Sequence, residues 1–264
     1  MRRVLAATDF TPGAAHAVER ARRLAALYQA GLVVVHVATE SRSAETHRAT
    51  LQQYLSAAPH AVVDVRFGTV PDALAEAARD HGADLVVIGL PRRVDFSGST
   101  AERVLLRSER PVIVVKRTPR EDYKRIIMAT DFSEPSRAAL AAVLRLLPGG
   151  GITLVHAYSA PFQGFLRGDD VRAFALRQRQ QEAESFIATT LAALPAQDRP
   201  ALAISLIEGL AHQVVAREVD RLDADLVVFG THGRTGVGRA VLGSVAAELL
   251  NGIGRDAMLV RPVG

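Results

Sequence analysis

One pattern occurs twice along this chain of 264 residues. Residues 3–11, RVLAATDFT, return as residues 125–133, RIIMATDFS. Three further blocks recur in the same order: VVVHV at 33–37 and ITLVHA at 152–157, ADLVVIG at 83–89 and ADLVVFG at 224–230, VIVV at 112–115 and MLV at 258–260. Four matched blocks in one order indicate that a whole domain has been duplicated.

Each repeated block is a short, continuous apolar run, which is typical of parallel strands buried on both faces. Apolar residues at helical spacing lie between the blocks, for example over 14–28 and 73–78. Thr11 and Ser133 occupy N-cap positions, each with a proline in the first turn that follows. The pattern predicts an α/β protein of two flavodoxin-like domains in tandem. Each is a doubly wound, five-stranded parallel sheet of order 3-2-1-4-5 with four helices.

The polar segment 117–123, which contains Pro119, separates the two copies. We therefore predict one domain over 1–118 and a second over 122–264. In the second copy, residues 170–194 are rich in Arg, Gln, Ala and Glu and contain neither Gly nor Pro. This composition predicts an unusually long helix, whose counterpart over 44–57 is shorter.

Composition argues against several classes of function. The chain has no cysteine, which excludes disulfides and thiol catalysis and fits a reducing, cytoplasmic compartment. Its formal charge is +4, but acidic residues are interspersed with the arginines and tryptophan is absent, so we expect no nucleic-acid partner. No apolar run is long enough to span a bilayer, and we expect no membrane association.

A ligand crevice is expected where the first and fourth strands end, because chain order reverses between them. In the second copy these ends are Thr130-Asp131 and Gly230-Thr231. A glycine loop follows, with the spacing Gly230, two residues, Gly233, nine residues, Gly243-Ser244. Glycines allow close backbone approach, and free N–H groups where the last helix begins suit phosphate oxygens. The loop is neither a Walker loop nor a G-x-G-x-x-G fingerprint.

This glycine spacing, on this strand and after a TDF block, resembles the ATP-binding loop of the universal stress protein family, and the resemblance covers nearly the whole chain twice. It implies ATP, or ADP or AMP, as ligand, and leaves open whether Mg²⁺ accompanies it; Asp131 borders the ligand, near the ribose or, if a metal is bound, near that metal. It also implies an internal pseudo-dimer in which the fifth strands, 112–115 and 258–260, pair; whether two chains form a homodimer stays open. The implied nucleotide-binding residues are Ala129, Thr130, Asp131, Ala157, Gly230, Thr231, His232, Gly233, Arg234, Gly243, Ser244 and Val245.

The corresponding loop of the first copy is degenerate. Arg92 replaces the second glycine, Pro91 removes a backbone donor beside it, and the loop is four residues shorter. Asp9 and Gly98-Ser99 remain. We therefore predict one nucleotide per chain, held by the second domain.

The sequence favours a nucleotide-binding protein of stress response or signalling, without an assigned catalytic residue. Two alternatives stay open: slow ATP hydrolysis, for which Asp131 is the one evident carboxylate, and a scaffold that acts without nucleotide. A flavoprotein-like or PP-loop enzyme suits the Gly-Ser placement after the fourth strand less well. We interpret His36 and His156, which end equivalent strands, as structural residues.

Overall fold

A computed structural model of the protein describes residues 1–38, 44–55, 58, 60–90, 100–159, 169–231 and 242–261. Within these ranges strands and helices alternate through both repeats. The first repeat comprises β1 (Arg3–Thr8), α1 (Pro12–Leu27), β2 (Gly31–Ala38), α2 (Ala44–Tyr54), β3 (Val62–Phe67), α3 (Val70–Asp80), β4 (Leu85–Gly89), α4 (Thr100–Arg107) and β5 (Val112–Val115). The second comprises β6 (Arg125–Ala129), α5 (Glu134–Leu146), β7 (Gly151–Tyr158), α6 (Asp169–Leu191), a 3-10 helix (Ala196–Asp198), β8 (Ala203–Glu208), α7 (Ala211–Arg221), β9 (Leu226–Gly230), α8 (Ser244–Gly252) and β10 (Asp256–Val260).

All ten strands form one sheet, in the order β3-β2-β1-β4-β5-β10-β9-β6-β7-β8. Within each repeat the strands are parallel, and their order counted within that repeat is 3-2-1-4-5. The repeats join through β5 and β10, which run antiparallel with Ile113 opposite Met258. The predicted fold class is confirmed, and the fifth strands pair as predicted. This pairing covers two apolar strand edges at once.

Helices cover both faces of the sheet, and each face has an apolar core that continues across the junction of the repeats. Successive strand residues alternate between the two cores, because their side chains point to opposite faces. Val4 packs in one core with Leu140, and Leu5 packs in the other with Val214. Since both cores include residues of both repeats, the repeats are packed as one unit.

The predicted long helix is present as α6, with 23 residues compared with 11 in its counterpart α2. It ends at Leu191, three residues before the predicted end, because Pro195 disfavours helical geometry just ahead of it. None of the helices among the described residues is both long enough and apolar enough to cross a membrane.

Basic residues after the fifth strands cap helices of the opposite repeat. Lys116 follows β5, and its ammonium donates to the carbonyl oxygens of Leu250 and Ile253 at the end of α8. Arg261 follows β10 and donates to the carbonyl oxygen of Leu106 in α4. Cations at helix C-termini satisfy carbonyl groups that have no partner within the helix. The sheet junction is therefore reinforced from both sides.

The partly buried ammonium of Lys116 makes stability depend on pH. Burial lowers its pKa to about 8, an effect that the nearby Asp256 opposes, whereas the unfolded chain titrates near 10.5. The unfolded chain therefore holds more protons between pH 8 and 10.5, and stability rises with pH there. From pH 7.5 to 9.5 we expect the free energy of unfolding, measured in urea, to increase by about 1–2 kcal/mol.

In the variant Lys116→Met this increase in the free energy of unfolding should disappear. The control is Lys124→Met, which changes the other lysine of the chain; that lysine is exposed, so the increase should remain. The range stops at pH 9.5 because burial raises the pKa of Tyr123 well above 10, and that group lowers stability at higher pH. A flat profile in the unmodified protein would contradict the assignment.

Candidate functional site

The turn after β6 brings Asp131 to the carboxyl end of the sheet. Phe132 adopts a positive φ of 61° there, which reverses the chain into α5. Three hydrogen bonds hold the turn: Thr130 Oγ1 accepts from the Phe132 N–H at 3.0 Å, and Asp131 Oδ1 accepts from the Ser133 N–H at 3.0 Å and from Ser136 Oγ at 2.8 Å. Ser133 is the N-cap of α5, as predicted. Asp131 therefore orders the turn as well as facing the crevice.

The end of β9 lies against the first turn of α5. A Cβ atom on Gly230 would lie 2.9 Å from Cβ of Pro135 and 3.0 Å from its carbonyl carbon. In the first repeat the approach is closer: a Cβ on Gly89 would lie 2.2 Å from the carbonyl oxygen of Gly13. These glycines are needed because backbone of the helix start occupies the space of a side chain. They let the start of the first helix pack directly against the end of the fourth strand in each repeat.

A cavity of about 210 Å³ occupies the crevice of the second repeat. The structure brings together most of the predicted site residues in its wall: Ala129, Thr130, Asp131, Ala157, Gly230, Gly243, Ser244 and Val245. It adds residues that the sequence reasoning did not select: Ser136, Val155, Ala211, Val215, Phe229, Ala246 and Leu249. Only Ser136 had a local signal, a small polar residue in the first turn of α5, close to the predicted site residue Asp131.

Thr231 lies beside this cavity and is buried. Its N–H donates to the carbonyl oxygen of Val260 at 3.1 Å, and its carbonyl oxygen accepts from the N–H of Gly243 at 2.9 Å. The first bond joins Thr231 to the last strand, and the second joins the two ends of the glycine loop. The predicted residues within the loop, His232, Gly233 and Arg234, lie outside the described residues.

Two helices begin at the cavity without a side-chain cap. Gly243 is the N-cap of α8 and Leu210 is the N-cap of α7. Glycine has no side chain and that of leucine is apolar, so neither offers a side-chain acceptor to the N–H groups of its helix. By contrast, Thr69 and Ser133 cap α3 and α5 through their hydroxyl groups. Uncapped N–H groups and the positive end of the helix dipole attract anions. The second cavity therefore combines an apolar wall with a surface suited to a negative group.

The paired histidines make structural contacts. Nδ1 of His156 lies 2.8 Å from the carbonyl oxygen of Thr130, and Nδ1 of His36 lies 2.9 Å from that of Thr8. Because a carbonyl oxygen only accepts, Nδ1 is the protonated nitrogen in each ring. The rings also contact Phe132 and Phe10. Both histidines hold the end of the first strand of their repeat against the second.

Among the described residues that line the second cavity, Asp131 is the one carboxylate. Among the described residues no three His, Asp or Glu side chains come together as a metal site. A magnesium ion here would take most of its oxygen ligands from phosphate and water, as Mg²⁺ commonly does in nucleotide sites.

The first repeat has its own cavity of about 250 Å³, between the ends of β1 and β4. The first-loop residues singled out in the sequence, Pro91, Arg92 and Gly98-Ser99, lie outside the described residues. The cavity persists because strand ends and the helices α3 and α4 form its wall.

The fold and site define a class: a tandem α/β protein with one crevice per repeat at the carboxyl ends of its strands. The model of the universal stress protein family matches residues 1–116 and 122–261. The chain belongs to the universal stress protein family.

Similar proteins carry the same family name. A universal stress protein of Thermus aquaticus is 30% identical over 141 residues, which cover 53% of this chain and 99% of that protein. One from Mycobacterium tuberculosis is 28% identical over 197 residues, covering 70% of this chain but 63% of its own length.

Solved structures extend the likeness in fold to the whole chain. A universal stress protein of Archaeoglobus fulgidus superposes with a TM-score of 0.62 at 17% identity, covering 98% of this chain and 96% of that one. A structure from Pseudomonas aeruginosa reaches 0.72 at 18% identity, covering 99% and 94%.

Proposed function

We propose that the second repeat binds an adenine nucleotide, ATP or else ADP or AMP, and that the protein acts through this ligand in stress response or signalling in the cytoplasm. The proposal depends on one observation above all. The final Gly-Ser of the glycine loop, Gly243-Ser244, forms the uncapped start of α8 and lies in the wall of the cavity. The Gly-Ser motif predicted from the sequence and the cavity of the second repeat thus lie at the same place in the fold.

The wall divides into two parts of different chemistry. Val155, Ala157, Phe229 and Leu249 offer an apolar surface of the kind that receives a base. At the other part, the N–H groups at the start of α8 suit phosphate oxygens. Asp131 lies in the same wall and can accept hydrogen bonds from ribose hydroxyl groups or share a metal ion with phosphate.

Calorimetric titration of the full chain tests the proposal, with ATP, ADP and AMP as ligands. We expect one nucleotide per chain. Ala157→Phe, which fills the second cavity, should weaken binding at least about tenfold by steric exclusion. The equivalent change in the first cavity, Val37→Phe, should leave nucleotide affinity within about twofold. Two nucleotides per chain would show that the first repeat binds a nucleotide as well. Loss of binding in Val37→Phe alone would show that the site lies in the first repeat and not in the second.

A further inference from the structure

Among the described residues, the ten-stranded sheet ends in β3 of the first repeat and in β8 of the second. The N–H of Gly209, which directly follows β8, donates to the carbonyl oxygen of Tyr158 in β7 at 3.0 Å. Backbone groups of successive strand residues point to opposite sides of the strand. The N–H and C=O groups of Ile204, Leu206 and Glu208 therefore face away from β7. An edge of this kind can pair with a further strand.

The edge of β3 is protected by charged side chains. Asp64 Oδ2 lies 2.8 Å from Nε of Arg66 and 2.8 Å from Nε2 of His81. Arg66 also pairs with Asp80, again at 2.8 Å. The Asp64 and Arg66 side chains are still 16% and 25% exposed, so a strand added at this edge would remove an ion pair from water, which is costly. Inward-pointing charges of this kind prevent sheets from associating edge to edge.

The edge of β8 lacks this protection. By the strand registers, Ser205 occupies in β8 the position that Asp64 has in β3. Ile207 likewise occupies the position of Arg66. The one charged residue of β8 is Glu208, at the last position of the strand. Two equivalent strands of a duplicated domain thus differ in the feature that prevents pairing, and β8 is the strand that is open to it.

We propose that two copies of this chain form a dimer in which their β8 strands pair in antiparallel orientation. With Ser205 opposite Ser205 of the partner subunit, Ile204 lies opposite Leu206 of the partner subunit, and their outward-facing backbone groups exchange hydrogen bonds. This pairing covers Ile204, which is 40% exposed in the single chain. The two Glu208 carboxylates lie at opposite ends of the paired strands, about 20 Å apart, where salt screens their repulsion.

Closure of the assembly favours β8 of a second copy over β3 as the partner strand. A contact between β8 and β3 would leave a free edge at each end, so that copies would add without limit and form a filament. It would also bury the ion pair of Asp64 and Arg66. Pairing of β8 with β8 has two-fold symmetry and leaves the protected β3 edges outside. The chain already joins its own repeats in this way, through the antiparallel strands β5 and β10.

Sedimentation equilibrium of the full chain, from micromolar to millimolar protein, measures the assembly. We expect the mass to rise from that of one chain to that of two and to stop there. Ile204→Lys places like charges near the centre of the pairing and should weaken dimerisation at least about tenfold. The control is Val62→Lys in β3, which should leave the dissociation constant within about twofold. Both side chains are exposed, at 40% and 47%, so both variants should keep the fold.

Amide hydrogen exchange, followed by NMR, identifies the paired edge. The N–H groups of Ile204 and Leu206 should exchange at least about tenfold more slowly at millimolar than at micromolar protein, whereas those of Val63 and Val65 in β3 should not change. Four results would overturn the proposal: a mass that stays at one chain, a mass that grows beyond two, slowed exchange in β3 instead of β8, or a dimer that Ile204→Lys does not weaken. These measurements need no nucleotide and are independent of the proposed function.

Discussion

Replacing Asp256 with alanine is expected to lower the free energy of unfolding by about 3–5 kcal/mol. Asp256 begins β10 and is 3% exposed. Its Oδ1 accepts from the backbone N–H groups of Lys116 and Arg117, at 2.9 and 3.4 Å. Its Oδ2 accepts from the Tyr123 hydroxyl at 2.6 Å and lies 3.5 Å from Nε of the buried Arg20. One carboxylate thus joins α1, the linker and the last strand.

The cost follows from what the substitution leaves behind. The Arg20 guanidinium, which also stacks 4.0 Å from the ring centre of Tyr123, would remain buried without its counter-charge. The Tyr123 hydroxyl would lose its acceptor in a site that is also buried. Unpaired buried charges and donors cost more than the original bonds contribute. Since domains of ordinary size have a total stability of about 5–15 kcal/mol, this change is large.

Urea denaturation of the full chain measures the effect, with Asp223→Asn as the control, because asparagine tolerates the positive φ of 46° at this position. Asp223 is also an aspartate bonded to arginines, Arg125 and Arg255, but its side chain is 66% exposed. Exposed ion pairs contribute less than about 1 kcal/mol, so the control should differ little from the unmodified protein. If both variants lose the same small amount of unfolding free energy, Asp256 does not hold the junction of the two repeats together.

The architecture was largely predictable from the repeat. Apolar runs separated by capped helices determine the α/β class, and Thr11 and Ser133 occupy the N-cap positions that their sequence contexts indicate. The pairing of the fifth strands agreed with the family resemblance. These features depend on residues that are close together in the sequence, or on the duplication of the domain, which the sequence repeat shows directly.

The junction was not predictable, because its residues lack local signals. Asp256 replaces the residue equivalent to Pro111, and nothing nearby indicates that Arg20, more than two hundred positions earlier, approaches it. The linker 117–123 is polar in composition, yet Tyr123 within it is buried. Buried polar networks form between distant segments, so only the packed structure identifies their members.

The wall of the candidate site was predicted only in part, for the same reason. Residues at strand ends and in the glycine motif were identified, because topology assigns strand ends to the crevice. The wall residues from α5 and α7, such as Ser136 and Val215, depend on how helices pack on the sheet. The first-repeat cavity was not predicted, because sequence reasoning concentrated on the loop, whereas strand ends and helices form its wall.

Gly243→Val is expected to reduce nucleotide affinity at least about a hundredfold, equivalent to about 2.7 kcal/mol. Gly243 lies in the cavity wall and has φ −59° and ψ 146°, a region that other residues adopt without strain. The substitution should therefore preserve the fold, which unfolding in urea can verify. What changes is the space beside the start of α8, where a branched side chain prevents phosphate from reaching the N–H groups.

Glycine matters at this position through its missing side chain rather than through its backbone freedom, so the loss should increase with side-chain size. Gly243→Ala should be intermediate, since one methyl group obstructs less than a branched chain. The matched change in the first repeat, Gly98→Val, should alter nucleotide affinity by no more than about twofold. Calorimetry on the three variants decides the matter. Tight binding retained by Gly243→Val, or lost in Gly98→Val, would show that phosphate does not bind at the start of α8.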